Sequence, residues 1–406
     1  MRILVINKFL YPKGGSETYM FNLSQYLEDQ GHEIEYFGME DDKNIVSNRL
    51  NKHVKNVSFK GSALTKVTYP FKCIYSFEAR RKLRTVLQSF KPDIVHINNY
   101  NFQITPSILY EIKKHNVPVV QTLHDPQLVC PYHRLYNYQK NEICEKCKGG
   151  KFYHCIKEKC IDNSFAKSFI GTLESYLYRT LGTYNLIDYY ISPSRFLKNK
   201  LFEMGLTLDQ NKIIVLHNFI DKISDAKALT KKNYVIYFGR LSSEKGIEVL
   251  VRAIKQLPDI PFLIVGQGDV DIRWEDLRNA EYVGFKTGDE LNTLISQALA
   301  SVCPSEWYEN CPMSILESQM LGTPVIGADN GGIPELIEHE KDGLLFEPGN
   351  AEDLAGKIRS LYENRELLEQ YTVNCLEKMK KFTIESYYIE LMKIYDQAIK
   401  KHERVG

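Results

Sequence analysis

Apolar positions along this chain come in two spacings that alternate. Short runs at residues 3–6, 92–97 and 118–123 read as buried strands. Residues 17–30 instead place Tyr19, Met20, Leu23, Tyr26 and Leu27 on one helical face, stopped by Gly31 ahead of a strand at 32–37. A helix is predicted to end near Phe90, another to cover 173–186, and strands to follow at 187–194 and 212–216. Strand–helix–strand repetition of this kind builds a parallel sheet.

A second series begins at residue 234. Strands are predicted at 234–238, 261–265, 282–285, 301–305, 323–326 and 343–346, with helices at 247–256, 291–300, from Pro312 to the stop at Gly322, and 351–362. A last helical stretch covers 384–400. The expected architecture is α/β, with two doubly wound domains. The first is expected over residues 1–200, with a Cys-rich insertion at about 130–160. The second is expected over 201–380 and a terminal helix over 381–406. The polar segment 222–233 is the predicted linker.

At 406 residues the chain is too long for one ordinary core, which agrees with two domains. No apolar run approaches the ~20 residues needed to cross a bilayer. The opening residues read as a strand and not a secretory leader, so a cytoplasmic location is expected, with the inner face of the cell membrane as a place of peripheral contact. The nine cysteines are then thiols or metal ligands more readily than disulfides. Charge is uneven: residues 1–190 carry a formal +8 and the remainder −7. Residues 51–100 hold ten basic and two acidic side chains, and within 59–90 basic and aromatic residues interleave. Such a half suits a diphosphate or an anionic membrane surface, contacted peripherally. No nucleic acid is expected as a partner.

The candidate chemistry lies at strand ends. The strand at 234–238 runs into Gly239-Arg240, and Lys245-Gly246 opens the next helix, so a guanidinium, an ammonium and unpaired backbone N–H groups converge on an anion. Gly266 and Gly268 repeat the strand-then-glycine pattern. Glu309 and Glu317 stand eight residues apart around Asn310, Cys311, Pro312, Met313 and Ser314. If helix covers most of that span, both carboxylates serve one cleft. Gly14 and Gly15 form a loop open to close backbone approach, and no G-x-G-x-x-G dinucleotide spacing accompanies them. His124, followed by Asp125-Pro126, sits just past a strand end, and His96 at another strand end reads as scaffold or site. Cys130, Cys144, Cys147, Cys155 and Cys160 fall close together with one C-x2-C pair, which suits a structural zinc or a set of free thiols.

The Glu309–Glu317 block resembles the E-x7-E signature of the retaining GT-B glycosyltransferases of family 4. The pattern Gly239-Arg240-x4-Lys245-Gly246 matches that family as well, and Thr122-x-His124-Asp125 is similar to its histidine context. The segment at 217–221 is similar to its Asn-Gly-Val-Asp, with Phe219 in place of the glycine. The resemblance implies a GT-B fold whose terminal helix crosses back to the first domain. It implies transfer of a sugar from a nucleotide-diphosphate sugar (UDP- or GDP-linked) to a hydroxyl of a glycan or lipid-linked oligosaccharide, as in surface polysaccharide assembly. No catalytic metal is required in that scheme. Arg240 and Lys245 would hold the diphosphate, Gly14 and Gly15 lie against donor phosphate and sugar, and Glu309 would hold the donor sugar. Glu317 would hold the ribose, the base would stack beside Phe285, and His124 would touch a sugar hydroxyl. A non-catalytic nucleotide-sugar sensor or partner subunit of the same fold is the alternative.

Overall fold

The computed structural model describes residues 1–56, 72–220, 230–268 and 270–403. The first half is a six-stranded parallel sheet of β1 (Arg2–Ile6), β2 (Glu33–Phe37), β3 (Ile94–Ile97), β4 (Val119–Thr122), β7 (Tyr189–Ser192) and β8 (Ile213–Val215). A two-stranded hairpin, β5 (Tyr136–Asn137) with β6 (Glu142–Ile143), stands apart from it. The strand order is β2-β1-β3-β4-β7-β8. Helices α1 (Gly15–Asp29), α2 (Phe77–Phe90), α3 (Ile108–Lys114), α4 (Tyr153–Lys157), α5 (Phe165–Thr180) and α6 (Arg195–Glu203) connect the strands. Because β8 still pairs with β7, the first sheet extends past residue 200.

The second half repeats the plan. Its strands are β9 (Val235–Arg240), β10 (Phe262–Gln267), β11 (Ala280–Tyr282), β12 (Ala300–Cys303), β13 (Val325–Ala328) and β14 (Gly343–Phe346), in the order β11-β10-β9-β12-β13-β14. Its helices are α7 (Ile247–Lys255), α8 (Gly288–Gln297), α9 (Met313–Met320), α10 (Ile333–Leu336), α11 (Ala351–Glu363) and α12 (Arg365–Met379). The inner strands of each sheet are buried on both faces and mostly apolar, whereas the edge strand β11 is largely exposed. The last helix, α13 (Ile384–Glu403), leaves this half. Its Tyr387, Leu391, Ile394 and Tyr395 pack with Ile3, Val5, Tyr19 and Leu23 of the first sheet.

Some boundaries differ from the periodicity. The helix predicted from residue 173 begins at Phe165, where the Ser164 side chain caps the Lys167 N–H, and ends before Gly182, whose φ of 61° turns the chain. Ala300, predicted as the end of a helix, opens β12 because it pairs with Val235. Residues 57–71, most of the first part of the basic–aromatic stretch, lie outside the described residues, as do residues 222–229 of the predicted linker. Farther along that stretch the cations are taken up internally. Arg80 and Arg84 grip the buried Glu111, and Lys82 pairs with Glu78.

Strand order fixes where ligands go. In each sheet the chain runs outward on one side and then returns to the other side of its first strand, between β1 and β3 and between β9 and β12. The crevice outside the carboxyl ends at such a reversal is the general binding position of open α/β sheets. Here the two crevices share one cleft of about 1000 Å³.

Candidate active site

On the second-domain wall, β9 delivers Arg240 and the turn at Ser243–Lys245 delivers Lys245. Gly246 has φ 73°, and a Cβ there would stand 1.8 Å from the carbonyl oxygen of Pro304. Glycine is therefore demanded by the contact that brings Lys245 against the loop following β12. In that loop lies Glu309. Its Oε1 accepts from Lys245 Nζ at 2.6 Å and from Ser305 Oγ at 2.7 Å. Burial alone would raise the Glu309 carboxyl, but the Lys245 charge and its hydrogen bonds outweigh burial and hold it below the ordinary value. Arg240 is bound by the buried Glu244 and by Ser242 Oγ at 3.2 Å.

The loop is held along its backbone. Gly332 N–H donates to Glu309 O at 2.6 Å, Asn330 Nδ2 to Trp307 O at 3.0 Å, and Glu306 N–H to Glu244 O at 3.0 Å. Trp307 gathers cations: Lys245 lies 5.2 Å, Arg134 5.6 Å and Arg240 6.0 Å from its ring centroid. An indole face is the aromatic surface that attracts ammonium and guanidinium most strongly.

The first-domain wall carries Lys8, Gly14, Gly15, His124 and His133. A Cβ on Gly15 would come no closer than 4.0 Å to Met313, and one on Gly14 would meet only Glu17 at 3.7 Å, so neither glycine is required by packing. Burial, with Lys13 adding, lowers Lys8 to about 8. His124 Nε2 meets Asn98 Oδ1 at 2.8 Å, and burial lowers the imidazole to about 4, so it is neutral near pH 7. His96 is scaffold: its two nitrogens meet Tyr395 OH at 2.5 Å and Thr122 Oγ1 at 2.8 Å beneath α13.

The two walls are latched together. Asn310 Nδ2 donates to His124 O at 2.9 Å, and Asn218 Nδ2 to Cys311 O at 3.3 Å. Glu335 accepts from the Arg195 and Phe196 N–H groups at the start of α6, at 2.8 and 2.5 Å, and pairs with His217 at 2.9 Å. Tyr308, next to Glu309, donates to Glu145 Oε1 at 2.7 Å, inside the Cys-rich insertion. Phe219 fills the seam, 5.4 Å from Tyr19 and 4.8 Å from Tyr387 by ring centroids.

Most of the expected residues meet here: Gly14, Gly15, His124, Gly239, Arg240, Lys245, Glu309, Asn310, Cys311, Pro312, Met313 and Ser314 all line the cleft. Four do not. Helix begins only at Met313, so Glu309 lies in a loop and Glu317 on a helix, outside the lining. Burial pushes the Glu317 carboxyl up to about 7. Gly266 and Gly268 serve packing, since a Cβ on either would stand 1.8 Å from the carbonyl oxygen of Gly239 or Leu241. Phe285 is 61 % exposed beyond the turn at Gly284. Trp307, Glu244, Lys8 and Arg134 were not singled out from sequence. Trp307, one of only two tryptophans and two residues before Glu309, gave a usable signal; the others gave none.

The cysteines of the insertion sit in a small apolar cluster, where Cys147, Cys155 and Cys160 pack with Phe152 and Ile161. Among the described residues no three His, Cys, Asp or Glu side chains form a ready set of ligands for a metal ion. No step below is routed through a metal at these thiols.

Residues 13–222 match the family described as Glycosyltransferase Family 4, and residues 219–377 match Glycosyl transferases group 1. The chain belongs to the family 4 glycosyltransferases. It is 30 % identical over 219 residues to an uncharacterized glycosyltransferase of Methanocaldococcus jannaschii, a match that covers 52 % of this chain and 60 % of that protein. It is 24 % identical over 354 residues to an uncharacterized 42.6 kDa protein in the cps region of Klebsiella pneumoniae, covering 83 % and 87 % of the two chains. Among solved structures, a glycosyltransferase from Rickettsia africae superposes with a TM-score of 0.68 at 19 % identity, covering 98 % of each chain. The GT-B fold expected from sequence is the fold observed.

Proposed function

We propose that this chain transfers a sugar from a nucleotide-diphosphate sugar to a hydroxyl of a glycan or lipid-linked acceptor, in the assembly of a surface polysaccharide. The observation that carries this reading is the Lys245–Glu309 contact in the cleft, with Arg240 beside it. In the reaction the bond between the anomeric carbon and the diphosphate oxygen breaks while the acceptor oxygen bonds that carbon. The acceptor proton passes to a diphosphate oxygen, on the face the diphosphate leaves, so configuration is retained. Arg240 and Lys245 stabilise the charge that develops on the diphosphate, the role a divalent ion plays in other transferases. Glu309, kept as a carboxylate by Lys245, accepts hydrogen bonds from donor-sugar hydroxyls. The neutral His124 offers a sugar hydroxyl a partner without charge.

Relatives support the class of substrate. One, 29 % identical over 188 residues, is the amylovoran biosynthesis glycosyltransferase AmsK of Erwinia amylovora. Anabaena HepE, which shares the fold with a TM-score of 0.66, was solved with UDP and glucose. Incubating the protein with UDP-, GDP- and ADP-sugars, with and without a lipid-linked oligosaccharide, tests the reading by nucleotide release. Acceptor-dependent release from one donor is expected. Binding of a nucleotide sugar without release under any condition would instead identify a sensor or partner subunit.

A further inference from the structure

Helix α5 has two sides with different company. Its inner side buries Ser168, Thr172, Glu174 and Tyr178, while Lys167 and Ile170 reach the first-domain wall of the cleft. Its outer side carries Phe165, Phe169, Leu173 and Tyr176, which are 61, 49, 45 and 37 % exposed. Their spacing of four, four and three residues makes one continuous stripe along a helix of 16 residues, about 24 Å long. Phe165 and Phe169 stack with centroids 6.4 Å apart. Leu181, 58 % exposed, extends the stripe just past the helix end. Large apolar side chains gathered on one exposed face mark an interaction surface, whereas scattered ones need no explanation.

The rim of the stripe is cationic. Tyr176 OH meets the Tyr153 N–H at 3.3 Å, and Lys157 lies 5.0 Å above the Tyr153 ring. Lys151 and Lys159 are exposed nearby in the chain. The three acids between residues 151 and 181 oppose this little. Glu158 is clamped by Lys140 and Lys146, both at 2.7 Å, Asp162 pairs with Lys167, and Glu174 is buried. Among the described residues no helix is long and apolar enough to cross a membrane. An aromatic and aliphatic stripe bordered by lysines is the composition of a helix that lies in the interface of an anionic bilayer.

We propose that the outer face of α5 seats the protein on an anionic membrane surface, with Phe165, Phe169, Leu173 and Tyr176 entering the headgroup region and the flanking lysines meeting lipid phosphates. The same helix lines the cleft, so docking would hold the first-domain wall beside the bilayer, where a lipid-linked acceptor is presented. The inference stands on α5 alone and does not need the donor reading.

The test is co-sedimentation of the full chain with phosphatidylglycerol–phosphatidylcholine vesicles and with pure phosphatidylcholine vesicles, for wild type and for a Phe165→Ser, Phe169→Ser, Leu173→Ser variant. Wild type is expected to bind the anionic vesicles, more weakly as salt rises, and the variant to lose about tenfold or more in binding. Thermal melting followed by circular dichroism should be equal in both, which shows that the variant is folded. Vesicle binding by the variant equal to wild type would overturn the proposal, as would failure of wild type to bind. A wild-type dimer in size-exclusion chromatography that the variant abolishes would reassign the face to self-association and overturn it too.

Discussion

Lys245 Nζ donates to Glu309 Oε1 at 2.6 Å, so the residues proposed to grip the diphosphate and the sugar are bonded to each other. The pair is prepaid: Glu309 is buried and would be costly as a lone carboxylate, and Lys245 keeps it ionised. Donor phosphates entering the cleft compete with Glu309 for the same ammonium.

Glu309→Ala should therefore bind its nucleoside diphosphate no more weakly than wild type, because Lys245 is released to the phosphates. Sugar transfer should fall by about 10²- to 10³-fold, the usual loss when one pre-placed group at the reacting centre is removed. Calorimetry and turnover measured on the same preparation separate the two effects; full turnover would remove Glu309 from the mechanism.

Replacing Arg240 and Lys245 together by Met should abolish measurable UDP binding. The variant leaves Glu244 and Glu309 without cations, so its melting temperature must be followed too. Retained nucleotide affinity in a folded double variant would displace the diphosphate from this wall.

Gly246→Ala and Gly15→Ala make a contrasting pair. The first drives a Cβ to 1.8 Å from Pro304 O at a φ of 73°, and the second meets nothing closer than 4.0 Å. Gly246→Ala should lower the melting temperature markedly or fail to fold. Gly15→Ala should melt as wild type and lose donor affinity only if the donor approaches that backbone.

Glu335→Ala removes the acceptor of two N–H groups at the start of α6 and the partner of His217. We expect a loss of about 1–3 kcal/mol, seen in denaturant unfolding, and a larger radius of gyration in solution scattering as the domains part. An unchanged unfolding midpoint and scattering curve would show that the latch contributes nothing.

Glu174 supplies a pH dependence. Burial raises its carboxyl to about 8, so the folded chain keeps a proton that the unfolded chain has released above its ordinary carboxylate range. Between about pH 4.5 and 8 the folded state binds the extra proton, so stability falls as pH rises across that window. Glu174→Gln should flatten the fall in thermal melts at stepped pH.

The sequence by itself determined the two parallel sheets and most of the second-domain wall, while the return of the last helix came from the family resemblance. Apolar runs buried on both faces must be parallel strands, and Gly239, Arg240, Lys245 and Gly246 are close in the chain, so local geometry already gathers them. Only the tertiary structure decided what these groups touch. Glu309 meets Lys245 across 64 residues because Gly246 packs on Pro304, and Trp307 draws in Arg134 from the other domain. Glu309 lies in a loop and Glu317 on a helix because helix starts at Met313, and Gly266 and Gly268 lie where two backbones pass too closely for any side chain. Long-range contacts of that kind depend on how strands end and helices begin, which the period of a hydrophobic pattern does not encode.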